Sequence, residues 1–118
     1  MIWTYFNRDE FMCHCGCGRN KTEDTLLDFL DEARDYSALP YRINSGYRCP
    51  TQNLVVGGSQ TSSHLKGMAA DIACPNSRDR YLIINGLLFC GISRIGIAPT
   101  FIHVDMDGTK DSEVIWLY

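Results

Sequence analysis

Hydrophobic residues recur along this chain with two different periods, and each period predicts a kind of element. Between residues 22 and 36 they return about every 3.6 residues, which predicts an amphipathic helix with Thr22 as its N-cap. A second long helix is expected from an N-cap at Ser77 to Cys90, where Gly91 would end it. The face of this helix that we expect to be buried carries Tyr81, Ile84, Leu87 and Leu88.

Shorter apolar runs bounded by turn residues predict strands. The expected strands cover residues 41–45, 68–73, 93–97, 101–106 and 113–117, with a further strand at the aromatic start, Trp3, Tyr5 and Phe6. Pro50 suits the first turn of a short helix through Val56, which Gly57 and Gly58 would close. Helices that precede and interrupt a mainly antiparallel sheet give an α+β fold.

The composition narrows the class of protein. The 118 residues suffice for a single domain, residues 1–118, and no apolar run approaches the roughly 20 residues that cross a bilayer, so we expect no membrane partner. A net charge of −3 without a basic stripe argues against nucleic acid as the main partner. The first residues lack the pattern of a signal peptide, so we expect synthesis in the cytoplasm, and we expect a monomer.

Two imidazoles and one carboxylate carry the strongest chemical signal. His64, Asp71 and His103 offer donor types that leave Zn²⁺ one open coordination position for chemistry. The fold must bring these distant positions together, which is typical of a catalytic site and unlike a Cys-rich structural zinc loop. Alternate side chains of the strand at 101–106 share a face, so His103 and Asp105 would point into one cleft. The pattern predicts a zinc hydrolase.

Six cysteines are many for a cytoplasmic chain of this size, and Cys13, Cys15 and Cys17 crowd around His14. Three interpretations stay open. The four donors of this run could hold a second metal, although so short a run can hardly arrange them tetrahedrally by itself. The cysteines could instead be buried as small apolar side chains, with His14 structural, or Cys17 could form a disulfide with another cysteine. A native protein without free thiols would indicate a disulfide-rich secreted interaction domain.

Three motifs in order carry a resemblance to a known family. They are Ser45-Gly46-Tyr47-Arg48, the Ser-x-His-x-x-Gly-x-Ala-x-Asp pattern at 62–71 and His-Val-Asp at 103–105. The sequence resembles the zinc peptidases of the D-alanyl-D-alanine carboxypeptidase type, peptidase family M15, especially small members from bacteriophages and bacteria. The resemblance implies a hedgehog/D-Ala-D-Ala peptidase-like fold. It also implies zinc ligands at His64, Asp71 and His103, and Arg48 holding a substrate carboxylate or carbonyl.

The same resemblance implies that the substrate is the peptide stem of bacterial peptidoglycan. The chain would cut as a D-Ala-D-Ala carboxypeptidase or as an L-Ala-D-Glu endopeptidase, for example as a phage endolysin acting on the cell wall after release or in a phage particle. A metal-containing binding module of the same fold, without activity, is the alternative.

The remaining roles follow from position. Ser62 could hydrogen-bond the ligands or the substrate, and Tyr47 could shape the pocket or merely pack. Arg48 could bind substrate or form a surface salt bridge. Relatives often place a general base two or three residues before the last histidine, where this chain has Phe101 and Thr100, neither of which can take a proton from water. Asp105 is the expected substitute, either as proton acceptor or as a partner that orients an imidazole. Asp107 is a weaker candidate, expected to be a solvated loop acid.

Overall fold

The computed structural model describes residues 2–118. Its elements are, in chain order, a 3₁₀ turn Arg8–Phe11, α1 Asp24–Ser37, β1 Ile43–Ser45, α2 Pro50–Val55, a second 3₁₀ turn Ser63–Lys66, β2 Ala69–Ala73, α3 Ser77–Phe89, β3 Arg94–Ile97, β4 Phe101–Asp105 and β5 Val114–Leu117. None of the helices within these described residues is long and apolar enough to cross a membrane.

The five strands form one sheet in the order β1-β2-β4-β3-β5. All neighbouring pairs are antiparallel except β3 and β5, which run parallel. Side chains of α1, α3 and one sheet face share a hydrophobic core, which includes Leu26, Leu30, Leu87, Ile72, Ile102 and Val104. The fold is α+β with a mostly antiparallel sheet, as the hydrophobic pattern predicted, and the helices leave the opposite sheet face for chemistry.

In both long helices the N-cap lies one residue away from the predicted cap, so those two predictions were wrong. Glu23, not Thr22, is the N-cap of α1, because the Thr22 hydroxyl donates instead to Asn20 Oδ1 at 2.6 Å. Asn76 rather than Ser77 caps α3, and its side chain accepts from the Asp79 backbone N–H. Pro50 at the start of α2 follows the prediction.

The predicted buried face of α3 was also partly wrong. Tyr81 is 67% exposed and Leu88 is 49% exposed, whereas Ile83 and Leu87 are buried. The reason lies at Gly86, where an added Cβ would come within 2.7 Å of the Ala33 carbonyl oxygen of α1. The two helices are in close contact at a residue without a side chain, which a count of hydrophobic positions cannot detect.

The aromatic start is not a strand. The Trp3 indole N–H donates to Asp28 at 2.8 Å, and the Tyr5 backbone N–H donates to Asp31 at 2.8 Å. Phe6 is buried and packs edge-on against Phe11. This segment therefore lies along the acidic side of α1, where side-chain carboxylates take the place of a neighbouring strand.

Candidate metal centre and its cleft

The sheet register places two predicted metal ligands opposite each other. Asp71 in β2 and His103 in β4 are Cα partners in an antiparallel ladder, so their side chains share a face. His64 belongs to the 3₁₀ turn that precedes β2. The Asp71 Oδ1 atom lies 3.0 Å from His103 Nδ1 and 3.3 Å from His64 Nε2. Side chains from three separate elements thus converge on one point.

Each histidine of this cluster has its outer ring nitrogen held by an acceptor. His64 Nδ1 lies 2.7 Å from the Gly46 carbonyl oxygen, and His103 Nε2 lies 2.7 Å from Asp105 Oδ2. Because a carbonyl and a carboxylate accept hydrogen bonds, these outer nitrogens carry the protons. The inner nitrogens can then present lone pairs to a cation, which is the arrangement of metal-binding histidines in proteins.

The donor set and its spacing fit a small divalent cation. Donor atoms around a tetrahedral zinc ion stand about 3.3 Å apart, and the two separations from Asp71 Oδ1 are 3.0 and 3.3 Å. All three donor atoms lie within 4.8 Å of one another. Burial raises the pKa of Asp71, but the neighbouring His103 and His64 rings outweigh burial and hold the pKa well below its ordinary value. The carboxylate is therefore anionic, as a metal ligand must be.

Asp105 is engaged on both oxygens. Its Oδ2 atom faces His103 Nε2, while Oδ1 accepts from Arg94 Nε at 2.6 Å and from the Asp107 backbone N–H at 3.1 Å. Its residue surface is only 1% exposed. Burial raises the pKa of Asp105, but these hydrogen bonds, first that to His103, bring the pKa below its ordinary value. A carboxylate so placed is arranged to orient the imidazole, which is the second of its two predicted roles.

Asp107 is not the solvated loop acid that we expected. It is 1% exposed and accepts from Ser63 Oγ at 2.8 Å and from Lys66 Nζ at 2.9 Å. Both donors belong to the 3₁₀ turn of His64. Asp107 therefore fastens the loop after β4 to the turn that carries the first histidine.

Arg48, Ser62 and Tyr47 line the same cleft as the three ligand candidates. Ser62 Oγ lies 3.4 Å from Arg48 Nη2 and also accepts from the His64 backbone N–H at 3.2 Å, so it links the guanidinium to the ligand turn. Tyr47 is only 2% exposed and packs in a small buried cluster with Cys13 and Cys49.

The Arg48 guanidinium is poorly satisfied within the protein. Its Nε atom is buried without a hydrogen-bond partner, and no residue in the described part of the chain forms a salt bridge with it. Burial lowers its pKa, yet an arginine stays protonated in proteins. The alternative of a surface salt bridge has no support in this arrangement.

An aromatic wall beside His103 escaped the sequence interpretation. The ring centroid of Trp116 lies 5.5 Å from that of His103, and the Tyr118 ring stands 6.4 Å from it. Gly96, opposite both His103 and Trp116 in the sheet, leaves room for these rings. The signal was present in the strand predicted at 113–117, because residues 116 and 118 share a face when side chains alternate. Arg94, which stacks over Trp116, was missed as well.

These side chains line a polar cleft of about 620 Å³, a size typical of small-ligand sites. His14, which we expected to be structural, is exposed and lines this cleft. A pair of histidines and an acid in such a cleft, on an α+β sheet, is typical of metal-dependent hydrolases.

The profile of the Peptidase M15 family matches residues 4–105. The chain belongs to the peptidase M15 family, as its motifs predicted. No curated protein matches it significantly.

Proposed function

We propose that this chain is a zinc-dependent metallopeptidase that hydrolyses peptide bonds in bacterial peptidoglycan, with His64, Asp71 and His103 holding the ion. The observation that carries the proposal is the convergence of the three donors, with both outer histidine nitrogens held by acceptors. We also propose that the sheet belongs to the hedgehog/D-Ala-D-Ala peptidase-like fold. Its mostly antiparallel order, with the candidate ligands on its open face, supports that fold.

A bound divalent cation would polarise the scissile carbonyl and activate a water molecule. Groups of the protein orient the ligands of the ion. Asp105 holds the proton of His103 on Nε2, which keeps the Nδ1 lone pair directed at the ion. The Gly46 carbonyl does the same for His64 through Nδ1. Asp71 supplies the negative charge that the two neutral imidazoles lack.

Arg48 is the proposed anchor for the substrate. A half-buried guanidinium with an unpartnered Nε needs an anionic or carbonyl partner, and a planar fork binds a carboxylate at two points. Peptidoglycan stems end in carboxylates, so both carboxypeptidase and endopeptidase cleavage could use this contact. Ser62 would hold the fork in place, and Trp116 and Tyr118 would border the chain of the substrate.

A binding module without activity is the second candidate, and one observation favours it. Thr100 and Phe101 cannot act as bases, and Asp105 already engages both its oxygens. Among the described residues that line the cleft, the groups left to move a proton are His14, Tyr47, Lys110 and Tyr118. This candidate predicts that the metal-loaded protein binds peptidoglycan without cutting it.

The biological setting that we propose is the bacterial cell wall, as for a phage endolysin, with peptide stems as the partner and the chain acting as a monomer. Support comes from the resemblance of the motifs and from the free guanidinium in the cleft. We do not propose a polyanion such as nucleic acid as a partner, because the net charge of the chain is −3.

The test is mass spectrometry of peptidoglycan fragments after incubation with the purified protein. We expect released stem peptides, loss of release with a chelator, and recovery when zinc is added. Asp71→Asn should abolish release, while Asp111→Asn, at an exposed position, should leave it unchanged. Binding of peptidoglycan without any release by folded, zinc-loaded protein would favour the binding module. Absence of both binding and release would overturn the choice of substrate.

A further inference from the structure

Four cysteine thiols meet at a second place in the molecule. Cys13, Cys15 and Cys17 come from the loop after the first 3₁₀ turn, and Cys49 comes from the segment just before α2. Their four Sγ atoms lie within 4.8 Å of one another. Cys15 Sγ stands 3.5 Å from both Cys13 Sγ and Cys49 Sγ. Thiolates around a tetrahedral zinc ion are about 3.8 Å apart, whereas disulfide sulfurs are about 2.05 Å apart.

Backbone amides point at three of these sulfurs. Cys13 Sγ accepts from the Cys49 backbone N–H at 3.3 Å, Cys17 Sγ from that of Arg19 at 3.4 Å, and Cys49 Sγ from that of Gln52 at 3.4 Å. An N–H donor stabilises a thiolate more than a neutral thiol, because the acceptor then carries a charge. These contacts therefore favour the form of cysteine that binds metal.

Local geometry explains how so short a run can supply three donors. Gly16 has φ +85° and Gly18 has φ +75°, and glycine adopts such left-handed conformations without a steric penalty. The loop therefore curls, so that alternate thiols face one centre. The fourth donor is Cys49 rather than His14, whose side chain lines the cleft instead. The run 13–17 supplies three of the four donors, and Cys49 supplies the fourth. The objection that so short a run cannot arrange four donors tetrahedrally therefore does not apply.

We propose that Cys13, Cys15, Cys17 and Cys49 form a structural zinc site, separate from the His64 centre. Four thiolates leave no coordination position open for water or substrate, which is typical of structural rather than catalytic zinc. Thiolate sulfur is also the softest donor that a protein offers, and it favours zinc over magnesium, calcium or manganese.

The place of the site in the fold indicates what it holds. The segment from Gly46 to Cys49 carries the carbonyl that bonds His64 and the guanidinium of Arg48. Its backbone is tied on the other side to the N-terminal region, through the Tyr47 N–H on the Phe11 carbonyl at 2.8 Å. Zinc at the four thiols would fasten the 13–17 loop to this segment, and so hold it beside the cleft.

The experiment is metal analysis of the purified protein, which needs no substrate and is therefore independent of the proposed peptidase activity. We expect Cys49→Ser to lower the zinc content by one ion per chain, whatever the His64 centre holds, and Cys90→Ser, a cysteine outside the cluster, to leave it unchanged. Cobalt-loaded protein should show the near-ultraviolet sulfur-to-metal absorption of thiolate ligands. Asp71→Asn should keep that absorption, since the His64 centre contains no sulfur.

A measurement on the unmodified protein guards against a variant that does not fold. Titration with an organomercurial in the presence of a chromophoric chelator should release one zinc ion per chain as the thiols react. Release of no zinc, iron in place of zinc, or a native mass lowered by the two hydrogens of a disulfide among these cysteines would each overturn the proposal.

Discussion

Replacing Asp105 with Asn separates the two roles that this carboxylate could play. Three donors face it: His103 Nε2 at 2.7 Å, Arg94 Nε at 2.6 Å and the Asp107 backbone N–H at 3.1 Å. Asparagine has the same shape, but one of its two terminal groups is itself a donor. In at least one of the three contacts, two hydrogen-bond donors therefore face each other. The negative charge of the carboxylate is also lost.

The expected magnitudes follow from burial. The Arg94 side chain is 12% exposed, so the variant leaves a largely buried cation without its carboxylate. Breaking a buried ion pair costs about 3–5 kcal/mol. Since Arg94 keeps its contact with the Asp111 carbonyl and its position over Trp116, we expect the lower end, about 3 kcal/mol. The loss of the partner that orients His103 should weaken zinc binding about 10- to 100-fold.

Three assays on one preparation distinguish the roles. Urea unfolding measures the free energy of unfolding, competition with a chromophoric chelator measures zinc affinity, and peptidoglycan cleavage is followed at saturating zinc. If Asp105 orients His103, saturating zinc should restore most of the activity. Tyr41→Phe is the control: it removes a buried hydrogen bond, to Ser37 Oγ at 2.7 Å, away from the cleft, so it should lose stability but keep its zinc affinity. Unchanged zinc affinity in Asp105→Asn, with activity about 100-fold lower at saturating zinc, would refute the orienting role and make Asp105 the base.

Three further predictions concern the cleft and the loop after β4. Arg48→Lys should lower kcat/KM about 10- to 100-fold for stems with a free carboxylate, measured by steady-state kinetics, because an ammonium lacks the two-point fork. Gly96→Ala should displace the aromatic wall and cost about 1–3 kcal/mol, since its Cβ would stand 2.6 Å from Tyr118 Cε1 and 2.7 Å from Trp116 Nε1, and tryptophan fluorescence reports the shift. Burial raises the pKa of Asp107, but its ammonium and hydroxyl donors lower the pKa by more, so the net shift is downward. The free energy that ionised Asp107 contributes to folding should therefore be lost as the pH falls below about 4. We expect Asp107→Asn to be about 1–3 kcal/mol less stable at pH 7. In an acid titration, this variant should not show the loss of stability below about pH 4.

Each of these three has a control at a position of the same residue type. Arg42 is exposed, so Arg42→Lys should leave the kinetics unchanged. An added Cβ at Gly108 meets nothing within 4 Å, so Gly108→Ala should keep the fluorescence of the parent protein. Asp111 is exposed, and Asp111→Asn should retain the acid loss. Equal behaviour of a variant and its control would contradict the corresponding prediction.

The strand that carries His103 could be predicted down to its two faces. Ile102 and Val104 are fully buried in the core, while His103 and Asp105 lie on the cleft, as strict alternation requires. Two imidazoles and one carboxylate are a donor set of catalytic zinc sites, and this donor type pointed to the cluster of His64, Asp71 and His103. The alternation within β4 is a local property, so the sequence alone predicts it, whereas the approach of Asp71 to His103 depends on the register of β2 and β4.

The errors come from choices that depend on tertiary contacts. Thr22 was predicted as the N-cap of α1, but its hydroxyl donates to Asn20 Oδ1 and the N-cap is Glu23. The buried face of α3 is set by the close approach at Gly86, a residue that contributes no hydrophobicity. The aromatic start lies on α1 through carboxylates more than twenty residues away, such as Asp28. No window of neighbouring residues contains this information.

The segment 46–49 depends both on its local sequence motif and on tertiary contacts. Its motif could be recognised because Arg48 precedes the ligand motif, in the order on which the resemblance to the M15 family rests, but its position depends on partners on both sides. The Gly46 carbonyl fixes the tautomer of His64 at 2.7 Å, and the Cys49 backbone N–H and Sγ reach the cysteine loop. A small domain gains rigidity from a metal that closes such long loops. Loss of zinc from the cysteines should therefore raise KM through Arg48 before it removes the ion at His64, because the guanidinium rests on one weak protein contact at 3.4 Å.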